Sequence, residues 1–155
     1  MAESPHYREL LQALNECEVE YLIVGGYAVM KYTEPRYTKD LDVWVHNSAE
    51  NSMRLFHALA NFGAPLKTDG VTPETFTRER IVYQIGVAPI RIDILTNVDG
   101  VKFTDAWPNR VKSAFFGVPV RVISLDDLIA NKRAAGRPSD VEHLEHILEE
   151  AKKKK

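Results

Sequence analysis

The sequence is poor in the features that would assign it to several broad classes of protein. It has a single cysteine, Cys17, so no disulfide can form within the chain, which suits a reducing cytoplasm. No apolar run approaches the length of a membrane span, and the polar start MAESPHYREL does not resemble a secretory signal. A formal net charge of −2 lacks the basic excess of a general nucleic-acid binder. We therefore expect a cytoplasmic protein with no membrane partner.

The remaining composition is typical of one globular domain. With 155 residues, 45% of them hydrophobic and 27% charged, the chain can bury a core, and disorder is not expected. We predict a single domain over residues 1–155, with a core at about 20–123 and a helical segment at about 124–150. The terminal lysines are expected to be a frayed helix end.

Hydrophobic periodicity and turn residues predict alternating helices and strands. The predicted elements are a helix after Pro5, a strand over 21–24, a helix over 27–32, a strand over 41–45, a helix from Ser48 to Gly63, strands over 80–87 and 90–95, a hairpin over 113–116 and 118–123, and helices starting at Ser124 and Ser139. Ser139 and Glu142 match a capping box. This order indicates an α/β domain with a mixed β-sheet.

Two aspartates, Asp40 and Asp42, interrupt the apolar strand DLDVWV. Because residues two apart point to the same face of a strand, their carboxylates project together, about 6–7 Å apart at the β-carbons. Two bare carboxylates raise each other's pKa, whereas divalent cations remove the repulsion. Mg²⁺ prefers oxygen ligands, and such a pair can share the two ions of a phosphoryl-transfer site. Taken alone, an Asp-x-Asp pair more often combines a strand cap with a solvent-facing side chain.

Residues on either side of this pair favour a site that handles phosphates. Gly25 and Gly26 stand between a strand and a helix, where backbone N–H groups bind phosphates and no Cβ blocks a close approach. In IRIDIL, Asp93 shares a strand face with Arg91. It is either a third metal ligand or the partner of an ion pair.

Other motifs narrow the kind of site. Arg36 and Lys39 stand just before the acidic pair, where they either meet a triphosphate or form a solvated basic loop. The glycines match neither the G-x-x-x-x-G-K-[ST] motif nor G-x-G-x-x-G, which argues against a P-loop and a dinucleotide fold. His143 and His146 lie three residues apart on a late helix without further metal-binding partners, which predicts a solvated helix face.

The glycine pair, the 13 residues that follow it, the Asp-Leu-Asp motif and a later strand aspartate together resemble the nucleotidyltransferase superfamily that includes DNA polymerase β. The resemblance is to small single-domain members, the AbiEii-like and minimal nucleotidyltransferases of toxin–antitoxin and phage-defence systems. The segment SLDDLIANKRAAGRPSDVEHL is similar to their later part. One departure is that many members have serine after the first glycine, whereas Gly26 offers only its backbone.

The resemblance implies the nucleotidyltransferase fold, a mixed sheet flanked by helices with further helices at the C-terminus, and a role for each matching residue. The catalytic carboxylates, which would also hold two Mg²⁺ ions, are Asp40, Asp42 and Asp93. The matching residues expected to contact the nucleotide or its acceptor are Gly25, Gly26, Lys132 and Arg137. Arg36 and Lys39 are added to this set by their position before the acidic pair and not by the resemblance. Asp93 would also help to deprotonate the attacking hydroxyl. Asp140 matches the family without an assigned role.

The implied reaction is Mg²⁺-dependent transfer of a nucleoside monophosphate from an NTP to a hydroxyl acceptor, with release of pyrophosphate. The acceptor stays open among the 3′ end of tRNA, a protein hydroxyl and a small molecule such as an aminoglycoside. An antitoxin partner is a further expectation. Two alternatives stay open: a degenerate member that binds a nucleotide or a partner without turnover, and a metal-dependent glycosyltransferase, which also uses Asp-x-Asp.

Overall fold

The computed structural model describes residues 5–35, 40–87 and 90–153, so Arg36, Lys39 and the turn at Ala88-Pro89 lie outside the described residues. Its helices are α1 (Pro5–Glu16), α2 (Gly25–Tyr32), α3 (Ala49–Phe62), α4 (Phe103–Ala106), α5 (Leu125–Ala135) and α6 (Pro138–Lys153). Its strands are β1 (Tyr21–Val24), β2 (Asp40–Val45), β3 (Val82–Val87), β4 (Ile90–Leu95), β5 (Val111–Phe115) and β6 (Val118–Val122). Short 3₁₀ turns span Thr75–Thr77 and Trp107–Asn109.

The strands of the described chain form one six-stranded sheet in the order β3-β4-β2-β1-β6-β5. β2 is antiparallel to β1 and parallel to β4, and β1 is parallel to β6. The two outer pairs, β3 with β4 and β5 with β6, are antiparallel hairpins. The predicted α/β domain with a mixed sheet is therefore confirmed, and the acidic strand β2 lies near the centre of that sheet.

Alternation along β2 divides the sheet into an apolar and a polar face. Leu41 and Val43 are fully buried, whereas Asp40 and Asp42 point the other way and are half-buried. The apolar face belongs to a core that includes side chains of α1 and α3 with no exposed area, namely Leu10, Leu11, Leu14, Leu55 and Leu59. Burial of this face fixes the register, because a slip by one residue would turn the aspartates into the core.

The ends of α3 and α5 follow the predicted signals, whereas the start of α6 does not. Ser48 caps α3 by accepting a hydrogen bond from the Asn51 backbone N–H, and Gly63 ends that helix in the left-handed conformation. The capping box assigned to Ser139 and Glu142 is wrong, because α6 already begins at Pro138. Proline suits the first helical position, since the N–H it lacks has no partner in the helix.

Several strand and helix boundaries also differ from the prediction, and two of them have a physical reason. α2 begins at Gly25 rather than Tyr27, so β1 passes into the helix without a loop. β3 begins at Val82 rather than Arg80, because Arg80 has a φ of 60° and cannot continue a strand. The Arg80 backbone N–H instead donates to Oδ1 of Asn97. Within the described residues, no helix is both long and apolar enough to cross a membrane.

Candidate active site

The junction between β1 and α2 forms one wall of the candidate site. Gly25 is the first residue of α2 and has a φ of 68°, a conformation that side chains with a Cβ rarely adopt. A Cβ at this position would also collide with Oδ2 of Asp42. Glycine is therefore required here for two reasons, and it brings the N-terminus of α2 directly against the carboxylate of a neighbouring strand.

Three carboxylates meet on the polar face of the sheet. Asp40 and Asp42 come from β2, and the parallel register places Asp93 of β4 directly beside Asp42. One oxygen from each of the three lies within 4.8 Å of the others. Carboxylate oxygens grouped this closely are suitable ligands for a divalent cation. The structure thus brings together the three aspartates that the sequence singled out.

Arg91 lies among these carboxylates. Its Nη2 atom is 2.6 Å from Oδ2 of Asp40 and 3.3 Å from Oδ2 of Asp93. We call Asp40, Asp42, Asp93 and Arg91 the acidic cluster. Asp93 therefore lies among the three carboxylates and also forms an ion pair with Arg91, so the structure is compatible with both interpretations of this residue.

The acidic cluster holds more negative charge than Arg91 can neutralise. Burial raises the pKa of Asp42 to about 7, and the negative charges of Asp93 and Asp40 add to this effect. Burial also raises the pKa of Asp93, although the Arg91 guanidinium opposes the shift. Oδ1 of Asp93 is buried without a hydrogen-bond partner among the described residues. Because a divalent cation would supply both the missing charge and the missing partner, these residues fit a bound metal.

A second charged group comes from the connection between α5 and α6. Nζ of Lys132 is 2.9 Å from Oδ1 of Asp140, and Nε of Arg137 is 2.7 Å from Oδ2 of the same carboxylate. We call these three residues the basic cluster. The Lys132 and Asp140 side chains are only 5% and 1% exposed, whereas that of Arg137 is 72% exposed.

Asp140 is the centre of the basic cluster. It lies in the first turn of α6, where its Oδ2 also accepts a hydrogen bond from the Arg137 backbone N–H at 3.2 Å. Asp140 therefore makes the reciprocal bond of a capping box, which the sequence analysis had assigned to Glu142. Burial by itself would raise the pKa of Asp140, but the hydrogen bonds from Arg137 and Lys132 outweigh it and lower the pKa to about 2.

Asp40 and Asp42 of the acidic cluster and all three residues of the basic cluster line one cavity of about 850 Å³. Its volume lies within the range of small-molecule sites. The residues of the two clusters and of the glycine junction that line it are Gly25, Gly26, Asp40, Asp42, Lys132, Arg137 and Asp140. Gly25, Gly26, Lys132 and Arg137, which are the expected nucleotide contacts within the described residues, therefore all line this cavity.

The helix face of His143 and His146, predicted to be solvated, is half-buried, and neither histidine joins the group of possible metal ligands among the described residues. His143 is half-buried and lines the cavity, one helical turn after Asp140. Residues three apart share a face of a helix, so the buried position of Asp140 brings His143 to the cavity as well. His146 is half-buried too, and its Nε2 lies 3.4 Å from Oε1 of Glu34.

A mixed sheet that presents three carboxylates beside a strand–helix glycine junction is the arrangement that the resemblance to nucleotidyltransferases led us to expect. The fold and the site therefore agree with the nucleotidyltransferase class that the resemblance implied, and a family match shows the same class. The sequence matches, over residues 3–155, the family model described as "Nucleotidyl transferase of unknown function (DUF2204)", and the chain belongs to this family. No curated protein sequence gives a significant match.

Three solved structures with the same fold each match more than nine-tenths of this chain. TM1012 from Thermotoga maritima, a protein named as a nucleotidyltransferase, has a TM-score of 0.59 at 14% identity, covering 93% of this chain and 91% of its own. ANT(2″)-Ia in complex with adenylyl-2″-tobramycin has a TM-score of 0.58 at 17% identity, with coverage of 91% and 84%.

The lincosamide antibiotic adenylyltransferase LnuA, solved with lincomycin bound, has a TM-score of 0.58 at 12% identity, with coverage of 94% and 96%. At identities this low, these similarities show a common fold. The family match over residues 3–155 is what makes the chain a nucleotidyltransferase.

Proposed function

We propose that the protein transfers a nucleoside monophosphate from an NTP to a hydroxyl group of a small molecule, with Mg²⁺ bound at the acidic cluster. The observation that carries this proposal is the approach of the Asp40, Asp42 and Asp93 oxygens to within 4.8 Å of one another. Asp40 and Asp42 line a cavity that Gly25 and Gly26 also line. Bound metal at these carboxylates, two Mg²⁺ ions by the family resemblance, would supply charge neutralisation on the phosphates and activation of the acceptor hydroxyl.

The phosphates of the NTP are expected at the glycine junction. The first N–H groups of a helix have no partner within the helix, and the N-terminus of α2 lines the cavity at Gly25 and Gly26. Lys132 and Arg137 border the same space and provide positive charge for the triphosphate. Contacts from Arg36 and Lys39 stay a prediction.

The placement of the third carboxylate supports a proposed transfer step. Asp93 lies on β4, on the far side of β2 from the glycine junction, so an acceptor hydroxyl beside Asp93 faces a nucleotide held at α2. The acceptor oxygen bonds to the α-phosphorus, and the bond from that phosphorus to the bridging oxygen of the leaving group breaks. Pyrophosphate departs with the electron pair, and Asp93 takes the hydroxyl proton.

A small-molecule acceptor is favoured over the other acceptors considered. Two structural neighbours, ANT(2″)-Ia and LnuA, were solved with antibiotic-derived molecules, and a cavity of about 850 Å³ suits a nucleotide with a small acceptor. A tRNA end, a protein hydroxyl, an antitoxin partner and a cytoplasmic location are predictions of the sequence analysis that gain no support from these comparisons.

Pyrophosphate release from each NTP in the presence of Mg²⁺ tests the proposal, with α-labelled NTP used to follow transfer to hydroxylated small molecules. We expect release by the wild type and none by a variant carrying both Asp40→Asn and Asp42→Asn. Nucleotide binding without pyrophosphate release would favour the degenerate binding member, and hydrolysis of a sugar nucleotide would favour the glycosyltransferase. Equal release by wild type and variant would refute the assignment of the carboxylates.

A further inference from the structure

Lys132 is a buried cation in the same cavity as the acidic cluster. Its side chain is 5% exposed, and the hydrogen bond from its Nζ goes to Asp140. Lys132 and the carboxylate of Asp42 line the same cavity, so both border one continuous space. A buried ammonium group without a carboxylate partner is strongly unfavourable, so Lys132 must pair with an acidic side chain nearby.

Asp140 holds its place independently of Lys132. Its carboxylate is fixed at the start of α6 by the backbone N–H and the guanidinium of Arg137, at 3.2 and 2.7 Å. Lys132, by contrast, carries its charge on a flexible four-carbon stem. If the charge of Asp140 is lost, the ammonium group of Lys132 has another carboxylate in the same cavity, that of Asp42.

We propose that Asp140 is a positioning residue that holds Lys132 away from Asp42 and thereby keeps the acidic cluster available to a divalent cation. This inference rests on the proposed function only in that the acidic cluster binds metal. A purely structural role for Asp140, as a helix cap and ion-pair partner, predicts lower stability of the fold but no selective effect on metal binding. The two roles therefore differ in a quantity that can be measured without turnover.

Mn²⁺ binding to the full chain, followed by the electron paramagnetic resonance signal of the free ion at neutral pH without nucleotide, tests the inference. Asp140→Asn keeps the size of the side chain but removes its charge, and we expect Mn²⁺ to bind at least about tenfold more weakly, because Lys132 then pairs with Asp42. Asp99→Asn is the matched control, because Asp99 is an exposed carboxylate that lines the same cavity outside both clusters. We expect it to change Mn²⁺ affinity by less than about twofold.

Removal of the lysine provides the rescue. Lys132→Met in the Asp140→Asn background takes away the competing ammonium group and is expected to restore Mn²⁺ affinity to the wild-type value or above. Unchanged affinity in Asp140→Asn, or a double variant as weak as Asp140→Asn alone, would overturn the inference.

Lys132→Met alone keeps the test decisive even if Asp140→Asn does not fold. It is expected to bind Mn²⁺ at least as tightly as the wild type, since a nearby positive charge has been removed. Weaker binding would mean that Lys132 supports the metal site, which contradicts the inference. A wild type that binds Mn²⁺ no better than Asp42→Asn would instead refute the metal site of the proposed function itself.

Discussion

The two charged clusters of the cavity have opposite compositions and opposite degrees of completeness. The acidic cluster combines three carboxylates with one guanidinium, whereas the basic cluster combines two cations with one carboxylate. In the basic cluster the shared carboxylate of Asp140 bonds both cations, and its pKa falls to about 2. In the acidic cluster the pKa of Asp42 rises to about 7, and Oδ1 of Asp93 lacks a partner among the described residues. The basic cluster is complete in the protein alone, whereas the acidic cluster fits an added cation.

Their origins in the chain differ as well. Lys132, Arg137 and Asp140 lie within one helical turn on either side of the Gly136 connection, so a local turn assembles them. The acidic cluster depends on pairing of β2 with β4, which joins Asp40 and Arg91 across 51 positions of the chain. The charges of the basic cluster, which a local turn assembles, are paired within the protein. The acidic cluster, which the sheet assembles, carries negative charge that a ligand must neutralise.

Of the substitutions predicted here, removal of one carboxylate of the acidic cluster should have the largest effect on activity. Asp42→Asn is expected to lower NTP-dependent pyrophosphate release by at least about a thousandfold, because the metal loses a ligand on which the chemistry depends. Steady-state rates measure the effect, with circular dichroism to verify folding. Asp99→Asn, which removes a cavity carboxylate outside both clusters, should keep at least about half the activity. A comparable loss in both variants would show that cavity charge, not metal ligation, governs the rate.

Substitution of Gly25 should damage the acidic cluster through the backbone. Gly25→Ala introduces a Cβ that collides with Asp42 and strains a φ of 68°, and we expect a loss of about 3 kcal/mol in the free energy of unfolding. Gly70→Ala is the control, since Gly70 has a φ of 71° with nothing within 4 Å of the added Cβ, and should cost about 1 kcal/mol. If chemical denaturation shows the same loss of unfolding free energy for Gly25→Ala and Gly70→Ala, the added Cβ at Gly25 does not collide with Asp42.

The excess charge of the acidic cluster should appear as a pH-dependent stability cost. The pKa of Asp42, about 7 in the folded protein, exceeds its unfolded value, so the folded state loses stability as the pH rises from about 4 through 7. In EDTA at pH 8, Asp42→Asn is therefore expected to be more stable than the wild type by about 2 kcal/mol. The gain should shrink at pH 5 and vanish below about pH 4. Denaturation midpoints that show the same gain at every pH would argue against a raised pKa.

The smallest effect is expected at the exposed end of the basic cluster. Arg137→Gln removes a cation that is 72% exposed, so its contact with a triphosphate is weakened by solvent. We expect the KM for NTP to rise about three- to fivefold, with kcat nearly unchanged. Arg133→Gln is the control, because Arg133 is an exposed arginine on α5 that does not line the cavity. A similar KM in Arg137→Gln and the wild type would remove Arg137 from the nucleotide site.

The sequence was most informative where side-chain direction follows from strand periodicity. Alternation predicts that Asp40 and Asp42 share a face, and the isoleucines around Asp93 mark a second strand with the same division. The parallel register that unites the two strands is a long-range property that local sequence patterns did not contain. The family resemblance implied only that Asp93 joins the other two carboxylates.

The basic cluster was largely hidden from sequence analysis. Its geometry depends on where α6 begins, and Ser139 offered a plausible cap that competes with the proline start at Pro138. That shift of the helix start decides which acid occupies the capping position, and so it determines that Asp140 is buried between Lys132 and Arg137. A preference for Pro at the first helical position was the signal that could have found it.

The 51-residue separation between Asp40 and Arg91 also bears on how the protein folds. Contacts between distant parts of a chain form slowly, because the intervening loop must close before they contribute. The helices and the hairpin of β3 and β4 involve nearer neighbours and can form earlier. In refolding experiments, far-ultraviolet circular dichroism should therefore recover before the capacity to bind a divalent ion, so metal affinity would report the completion of the central sheet.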